Sequence, residues 1–212
     1  MAGEPVTDVV SVTLLRHGRS RADDEGVHEG RYDSPLTEAG RAQVRARAGD
    51  LARRGFTFDA IVASPLVRAA ESAAIVAEVL GGAVELDPDW MEFNNGPLAG
   101  LPFAEAEVRF PSSPLLSPYA AFWQSGESRW ELYCRAVRAL EKVVRRGGST
   151  LVVAHGGILN AALHSIAGET PAGDSQGLAF AFGNAGLARL QYQPAKNRWA
   201  LLEFSPESML AD

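Results

Sequence analysis

The stretch "VTLLRHGRS", residues 12–20, begins as an apolar, β-branched run and ends abruptly in Arg16-His17-Gly18, with Arg19 and Ser20 directly behind. An apolar run of this length, here Val9 to Leu15, reads as a central strand buried on both faces of a sheet. A chain with only four histidines places one of them at the end of that strand, beside an arginine. Either this is a turn with incidental charges, or His17 is a nucleophile. The rest of the chain decides between them.

Outward from this strand, helical and extended patterns alternate. "RADDEGVHEGRYDSP" (residues 21–35) reads as a long acidic loop. Thr37 is placed to cap a helix that runs to about Arg54 and stops at Gly55. "FDAIVAS" (58–64) is a second strand. Ser64 is expected to cap, and Pro65 to open, a helix that runs to Leu80 before Gly81-Gly82. "AVELDP" is a third, short strand. Ser128 and Glu131 fit a capping box, and Trp130, Tyr133, Cys134, Val137, Leu140 and Val144 mark the expected apolar face of the helix that follows. "STLVVAH" (149–155) is a strong strand ending in His155-Gly156-Gly157. "ILNAALHSIAG" then reads as a helix, and "GLARLQYQP" with "RWALLEFS" as an antiparallel pair. This pattern predicts a three-layer α/β/α sandwich with a mostly parallel central sheet. Residues 1–212 are expected to form one domain, with an irregular, lid-like insertion around 97–127. Within it, "PSSPLLSPYAAFWQS" (111–125) is either a lid or a surface excursion packed by its own aromatics.

Composition narrows the function classes. The 212 residues are 46% apolar and 22% charged, with a formal net charge of −6, and carry no basic stripe or tail. Nucleic acid and anionic membrane are therefore not expected partners. Arg45, Arg47, Arg53, Arg54, Arg145 and Arg146 read as solvated faces and helix-end charges. Cys134 stands alone, so no intrachain disulfide forms, and its place in the helical pattern predicts a buried structural thiol. No signal peptide or membrane span is evident, and the expectation is a cytoplasmic protein.

In parallel sheets, ligands bind beyond the carboxyl ends of the strands. Three such ends carry chemistry here: Arg16-His17-Gly18, then Ser64-Pro65 with Arg68 one turn on, then His155-Gly156-Gly157. If these strands are neighbours, two histidines and two arginines meet at one edge. Arginine offers fixed N–H donors that match phosphate oxygens and stays charged. Helix N-termini add donors for an anion. A neutral imidazole attacks phosphorus, splitting one hard displacement into two easier ones. Glu92, just past the third strand, is the carboxyl group best placed to protonate a leaving alcohol and then activate water.

The segments "LLRHGRS", "DSPLTEAGRAQ", "VASPLVRAAESA", "EFNNGPLAG", "GES" and "VVAHGGIL" together resemble the histidine phosphatase superfamily, phosphoglycerate mutase-like branch, from about Val12 to Asn184. The resemblance implies that His17 is the phosphorylated nucleophile and that Arg16 and Arg68 clamp phosphate. It also implies that His155 stabilises the transferring group, that Glu92 is the proton donor, and that no metal or organic cofactor is needed. Gly18, Ser20, Asp23, Glu29, Gly30 and Gly156 fall in the loops expected to bind phosphate or substrate. Many members are dimers, so a homodimer is compatible with the resemblance.

Two positions depart from the family pattern. Asp23 stands where an asparagine is common, and Glu29 where a glutamine is common before Gly30. An acid beside a phosphate site repels a dianion unless it is protonated, paired or turned away. Asp23 either pairs with Arg19, Arg21 or Arg31, or favours a substrate with a donor group, or alters catalysis. Only 63 positions separate Glu92 from His155, a shorter insertion than phosphoglycerate mutases carry. That favours a phosphatase acting on a small phosphomonoester, with mutase-type transfer, or a weakly active phosphate-binding module, as alternatives. Phe93, Phe122 and Trp123 are either core or leaving-group contacts. His28 lies near the expected mouth, without metal-ligand spacing around it, and His164 reads as structural.

Overall fold

The computed structural model describes residues 9–111, 117–171 and 178–206. Strands β1 (Val10–Arg16), β2 (Ala60–Ala63), β3 (Val84–Leu86), β4 (Ser149–Ala154), β5 (Leu187–Gln193) and β6 (Arg198–Ser205) form one sheet in the order β3-β2-β4-β1-β5-β6. The first four are parallel, and β5 and β6 are antiparallel.

Alternation along each strand splits the core in two. Val12 and Leu14 of β1, Val62 of β2, and Val152 and Ala154 of β4 point to one face. Helices α5 (Arg129–Arg146) and α6 (Gly156–Ala167) cover it with Ala136, Ala139, Leu140, Ile158, Leu159 and Ala162. Leu15, Ile61, Ala63, Leu151 and Val153 point to the other face, under Val44, Ala48 and Leu51 of α2 (Glu38–Arg53) and Ala73 and Val76 of α3 (Val67–Leu80). The expected three-layer sandwich is therefore present. Among the described residues no helix is long and apolar enough to cross a membrane.

Several local expectations are corrected. The acidic loop contains a short helix, α1 (Arg21–Glu25), opened by a Ser20–Asp23 capping box. Ser64 does not cap α3, which begins at Val67. Its first N–H, that of Val67, donates instead to Asp33 Oδ1 at 2.7 Å. The phase of α5 also differs. Its buried positions are Arg135, Ala136, Ala139, Leu140 and Val143, while Val137 and Cys134 are exposed. The buried side combines the small Ala136 and Ala139, which let α5 pack closely on α6, with Leu140 and Val143 in the same core cluster. Arg47 is buried, not solvated: its Nε donates to Ala185 O at 3.0 Å, and a terminal nitrogen donates to Ser205 Oγ at 3.0 Å.

The 97–127 region holds a further helix, α4 (Phe103–Arg109), and residues 112–116 of the expected lid lie outside the described residues. Its aromatics pack on one another and on their neighbours. Phe93 meets Phe122 edge-on at 5.6 Å, Phe110 meets Trp123 at 5.1 Å, and Tyr119 stacks on Trp130 at 5.5 Å.

Candidate active site

The register brings the chemistry-bearing strand ends together. Arg16 pairs with Ala154 across β1 and β4, and Ala63 pairs with Val153 across β2 and β4. The ladder runs one residue further on each side: His17 N–H donates to Ala154 O, and Ser64 N–H to Val153 O, both at 3.0 Å. His155, at the end of β4, therefore sits between His17 and Ser64. The rings of His17 and His155 lie 5.0 Å apart, and both side chains are buried.

Two glycines allow the chain to turn here. A Cβ on Gly18 would land on the Gly40 carbonyl, and one on Gly40 would land on the Arg19 carbonyl. The loop after β1 thus crosses the start of α2 in backbone-to-backbone contact. Gly18 N–H is directed to Ser72 Oγ of α3 at 3.2 Å, which ties that loop to the helix carrying Arg68.

Hydrogen bonds assign the tautomer of His17. Nδ1 lies 2.7 Å from Gly18 O, a pure acceptor, so Nδ1 carries the proton. Arg68 Nε, a pure donor, points at Nε2 across 3.2 Å, so Nε2 holds a lone pair. Burial, followed by the charges of Arg16 and Arg68, holds the His17 pKa well below the ordinary histidine value. The result is a neutral imidazole with its free nitrogen facing a guanidinium.

Arg68 is fully buried in the opening turn of α3. Its terminal nitrogens donate to Tyr32 O at 2.9 Å and Gly30 O at 2.8 Å. Burial pulls its pKa down, while Glu29, Glu92 and Asp33 oppose the shift. Arg16 donates to Phe182 O at 2.7 Å, and its Nε is buried with no hydrogen-bond partner among the described residues. His155 Nε2 lies 2.8 Å from Ser64 Oγ, and its Nδ1 is likewise buried and unpartnered. Burial, then the neighbouring His17 and the arginines, lowers the His155 pKa well below the ordinary value. Unmatched donor capacity on Arg16 beside two neutral imidazoles suits an anionic ligand.

Glu92 approaches from the loop after β3. Its carboxylate accepts from Gly157 N–H at 2.9 Å, Ile158 N–H at 3.1 Å and Phe93 N–H at 2.7 Å. It therefore occupies the positive end of α6, one residue from His155. Arg135 secures the loop behind it, donating to the carbonyls of Asp89, Met91 and Glu92 and pairing with Glu127. Arg31 Nε also approaches Glu92 O, at 3.4 Å.

The two family departures behave differently. Asp23 is held against the start of its own helix: Oδ2 accepts from Ser20 N–H at 2.9 Å as half of the α1 capping box and lies 3.5 Å from Ser20 Oγ, the hydroxyl that also meets Glu29. The expected arginine pairing is not the one made, since Arg19 pairs with Asp24 and Arg21 with Glu25. Glu29 points inward. Ser20 Oγ donates to its Oε1, which also lies 3.4 Å from Arg68 Nε, and its Oε2 lies 3.8 Å from His17 Nε2. Burial raises the Glu29 pKa, with Asp23 adding to the rise and Arg68, Ser20 and Arg16 opposing it.

Of the other expected positions, Gly30 has φ of +49° and leaves space that the Asn95 side chain fills. Gly156 opens α6 with nothing near its Cβ position. His28 sits edge-on to Phe103 at 4.8 Å, and His164 contacts Leu178 O at 2.7 Å, a structural role. Phe93, Phe122 and Trp123 make contacts with other aromatics. Sequence reading placed Gly157 and Ser64 at chemistry-bearing strand ends without giving them their supporting roles, and missed Arg135. Gly157 gives Glu92 its place, because a Cβ there would overlap Glu92 Oε1. Arg135 holds the Glu92 loop, and Ser64 orients His155. The second glycine after His155 and the "GES" segment before α5 were the available signals.

Comparison with known proteins places the chain among phosphatase and mutase relatives. The chain is 31% identical over 206 residues to the uncharacterized phosphatase PhoE of Bacillus subtilis, covering 96% of this chain and 98% of that one. It is 37% identical over 146 residues to the bifunctional protein Rv2228c of Mycobacterium tuberculosis, covering 67% of this chain but spanning only 40% of that longer protein. The structure of a mycobacterial glucosyl-3-phosphoglycerate phosphatase, Rv2419c, in complex with VO3 superposes with a TM-score of 0.77 at 26% identity, covering 94% of this chain and all of that one. The family model described as "Histidine phosphatase superfamily (branch 1)" matches residues 12–205, and the chain belongs to that superfamily.

Proposed function

We propose that the protein is a metal-independent phosphatase that hydrolyses small phosphomonoesters through a phosphohistidine on His17. One observation carries this reading: buried His17 holds an unprotonated Nε2, at which Arg68 points across 3.2 Å, with the His155 ring 5.0 Å away. Nε2 attacks phosphorus, forming the N–P bond as the ester P–O bond breaks. Arg16 and Arg68 neutralise the charge on the equatorial oxygens, the task that a metal ion performs in other phosphoryl-transfer sites. Glu92 gives its proton to the departing alcohol oxygen and takes one back from water as water attacks phosphorus. The N–P bond then breaks, free phosphate leaves, and His17 is restored. His155, with its Nδ1 unpartnered and its ring 5.0 Å from that of His17, adds a ligand for the transferring group.

The short stretch between Glu92 and His155 favours water over a second hydroxyl as the acceptor. Phe122, packed edge-on against Phe93 of the Glu92 loop, is a candidate wall for the leaving-group side. A phosphomonoester panel tests the reading, and it includes a phosphorylated sugar acid because a structural relative acts on one. Wild type should release free phosphate, and His17→Ala should not. Acid-labile phosphate should be trapped on wild type and absent from His17→Ala. Activity retained at the wild-type level in that variant would overturn the mechanism, and transfer of phosphate to a second hydroxyl would make the protein a mutase-type enzyme.

A further inference from the structure

Glu29 puts a carboxylate where a phosphoryl group must bind. Its Oε2 is 3.8 Å from the attacking nitrogen of His17, and its Oε1 is 3.4 Å from the Arg68 Nε that faces that same nitrogen. A phosphorus atom about 3 Å from Nε2, the separation of a near-attack geometry, carries its equatorial oxygens into this space. Ser20 Oγ holds Oε1 in position, and Ser20 is itself fully buried, so the carboxyl group is not a freely swinging surface side chain. The groups around it are Asp23 from α1, Arg68 from α3, and Arg16 and His17 at the end of β1.

We propose that Glu29 makes the pocket proton-selective: the phosphoester binds and reacts with one extra proton held between the Glu29 carboxyl and a phosphate oxygen. This rests on the phosphatase reading. The proton is brought either by substrate as its monoanion or by Glu29 as the acid, and the resulting complex is the same. Two ionised oxygens in contact repel, whereas a protonated carboxyl presents an O–H donor where an amide would present N–H. The observed environment favours the protonated form, since burial and Asp23 both raise the Glu29 pKa. His17 contributes nothing to this dependence at neutral pH, because it is already neutral.

The test uses orthophosphate and a simple aryl phosphate with the whole protein. Calorimetry of orthophosphate binding, in two buffers of different ionisation enthalpy, should show uptake of about one proton per site in wild type once the pH exceeds both the raised pKa of Glu29 and the second ionisation of orthophosphate, which lies higher than the value of about 6 for a phosphate ester. Affinity and kcat/KM should fall about tenfold per pH unit there. Glu29→Gln should flatten both profiles and bind orthophosphate at least about tenfold more tightly near pH 8, whereas Glu29→Asp should keep the slope. Parallel profiles for wild type and Glu29→Gln, or no proton uptake by wild type, would overturn the proposal. If Glu29→Gln does not fold, the two-buffer measurement on wild type still decides. Proton-linked phosphate binding without hydrolysis of any ester would sink the phosphatase reading alone. Hydrolysis with parallel profiles would sink this inference alone.

Discussion

Arg68 directs its Nε proton at Nε2 of His17 across 3.2 Å, while its two terminal nitrogens are held by the carbonyls of Tyr32 and Gly30. One guanidinium thus fixes the tautomer of the nucleophile and ties it to the loop that carries Glu29. Lysine retains the charge but not the fork that reaches three acceptors. Arg68→Lys is expected to lower kcat/KM about a hundredfold or more, and Arg68→Met to lower stability by about 1–3 kcal/mol because the carbonyls of Tyr32 and Gly30 lose their donor. Steady-state kinetics and urea unfolding measure the two effects separately.

Stability should fall on mild acidification. His17 and His155 are buried with folded-state pKa values well below the ordinary 6.5. Below that value the unfolded chain binds protons that the folded chain does not, so unfolding is favoured as pH drops. Each histidine contributes a slope of about 1.4 kcal/mol per pH unit in that window. Glu29 works in the opposite sense: its raised pKa adds stability below the ordinary carboxyl value, which is lost as pH rises through the raised value. Two histidines outweigh one carboxyl, so the urea midpoint should drop between about pH 6.5 and 5.5, and less steeply in His17→Gln. A midpoint that rises over this range would contradict the burial-driven shifts.

Gly157→Ala isolates the placement of Glu92. The added methyl would overlap Glu92 Oε1, pushing the carboxyl group off the start of α6. Alanine is the better helix former by about 1 kcal/mol, so thermal stability should change little. The expected loss is about ten- to a hundredfold in kcat, and unchanged kcat would mean that Glu92 acts elsewhere.

Cys134 is exposed. In the native protein it should react with a thiol reagent at the rate of an accessible cysteine, and Cys134→Ser should leave stability within about 0.5 kcal/mol of wild type. Protection until unfolding would restore the buried reading of the helical pattern.

Residues 12–20 were legible because local chemistry dictates them. An apolar run long enough for a central strand, broken by Arg16-His17, has few placements other than the carboxyl edge of a covered sheet. The same reasoning held for β4 and His155, for Thr37 at the start of α2, and for the Ser128–Glu131 box of α5. It failed where the outcome depends on which distant atoms meet. The α5 pattern is consistent with several rotations of the helix, and close packing of Ala136 and Ala139 selected one that turns Cys134 out. Ser64 had the chemistry of a helix cap, but Asp33 reached the start of α3 first and left Ser64 to His155.

The acids behind the nucleophile show the boundary most sharply. By itself the sequence determined that Asp23 and Glu29 stand in the phosphate-side loops where amides are usual, and that at least one of them must be neutralised or turned away. Only the tertiary structure decided which. Asp23 is three residues from Ser20 and closes a local capping box, so its carboxylate is held at the start of α1 beside Ser20. Glu29 has no such local partner, and the donors of Ser20 and Arg68 draw it inward beside His17. A carboxylate goes to the nearest donors its backbone allows, and folding, which gathers donors from separate segments, determines where those donors lie.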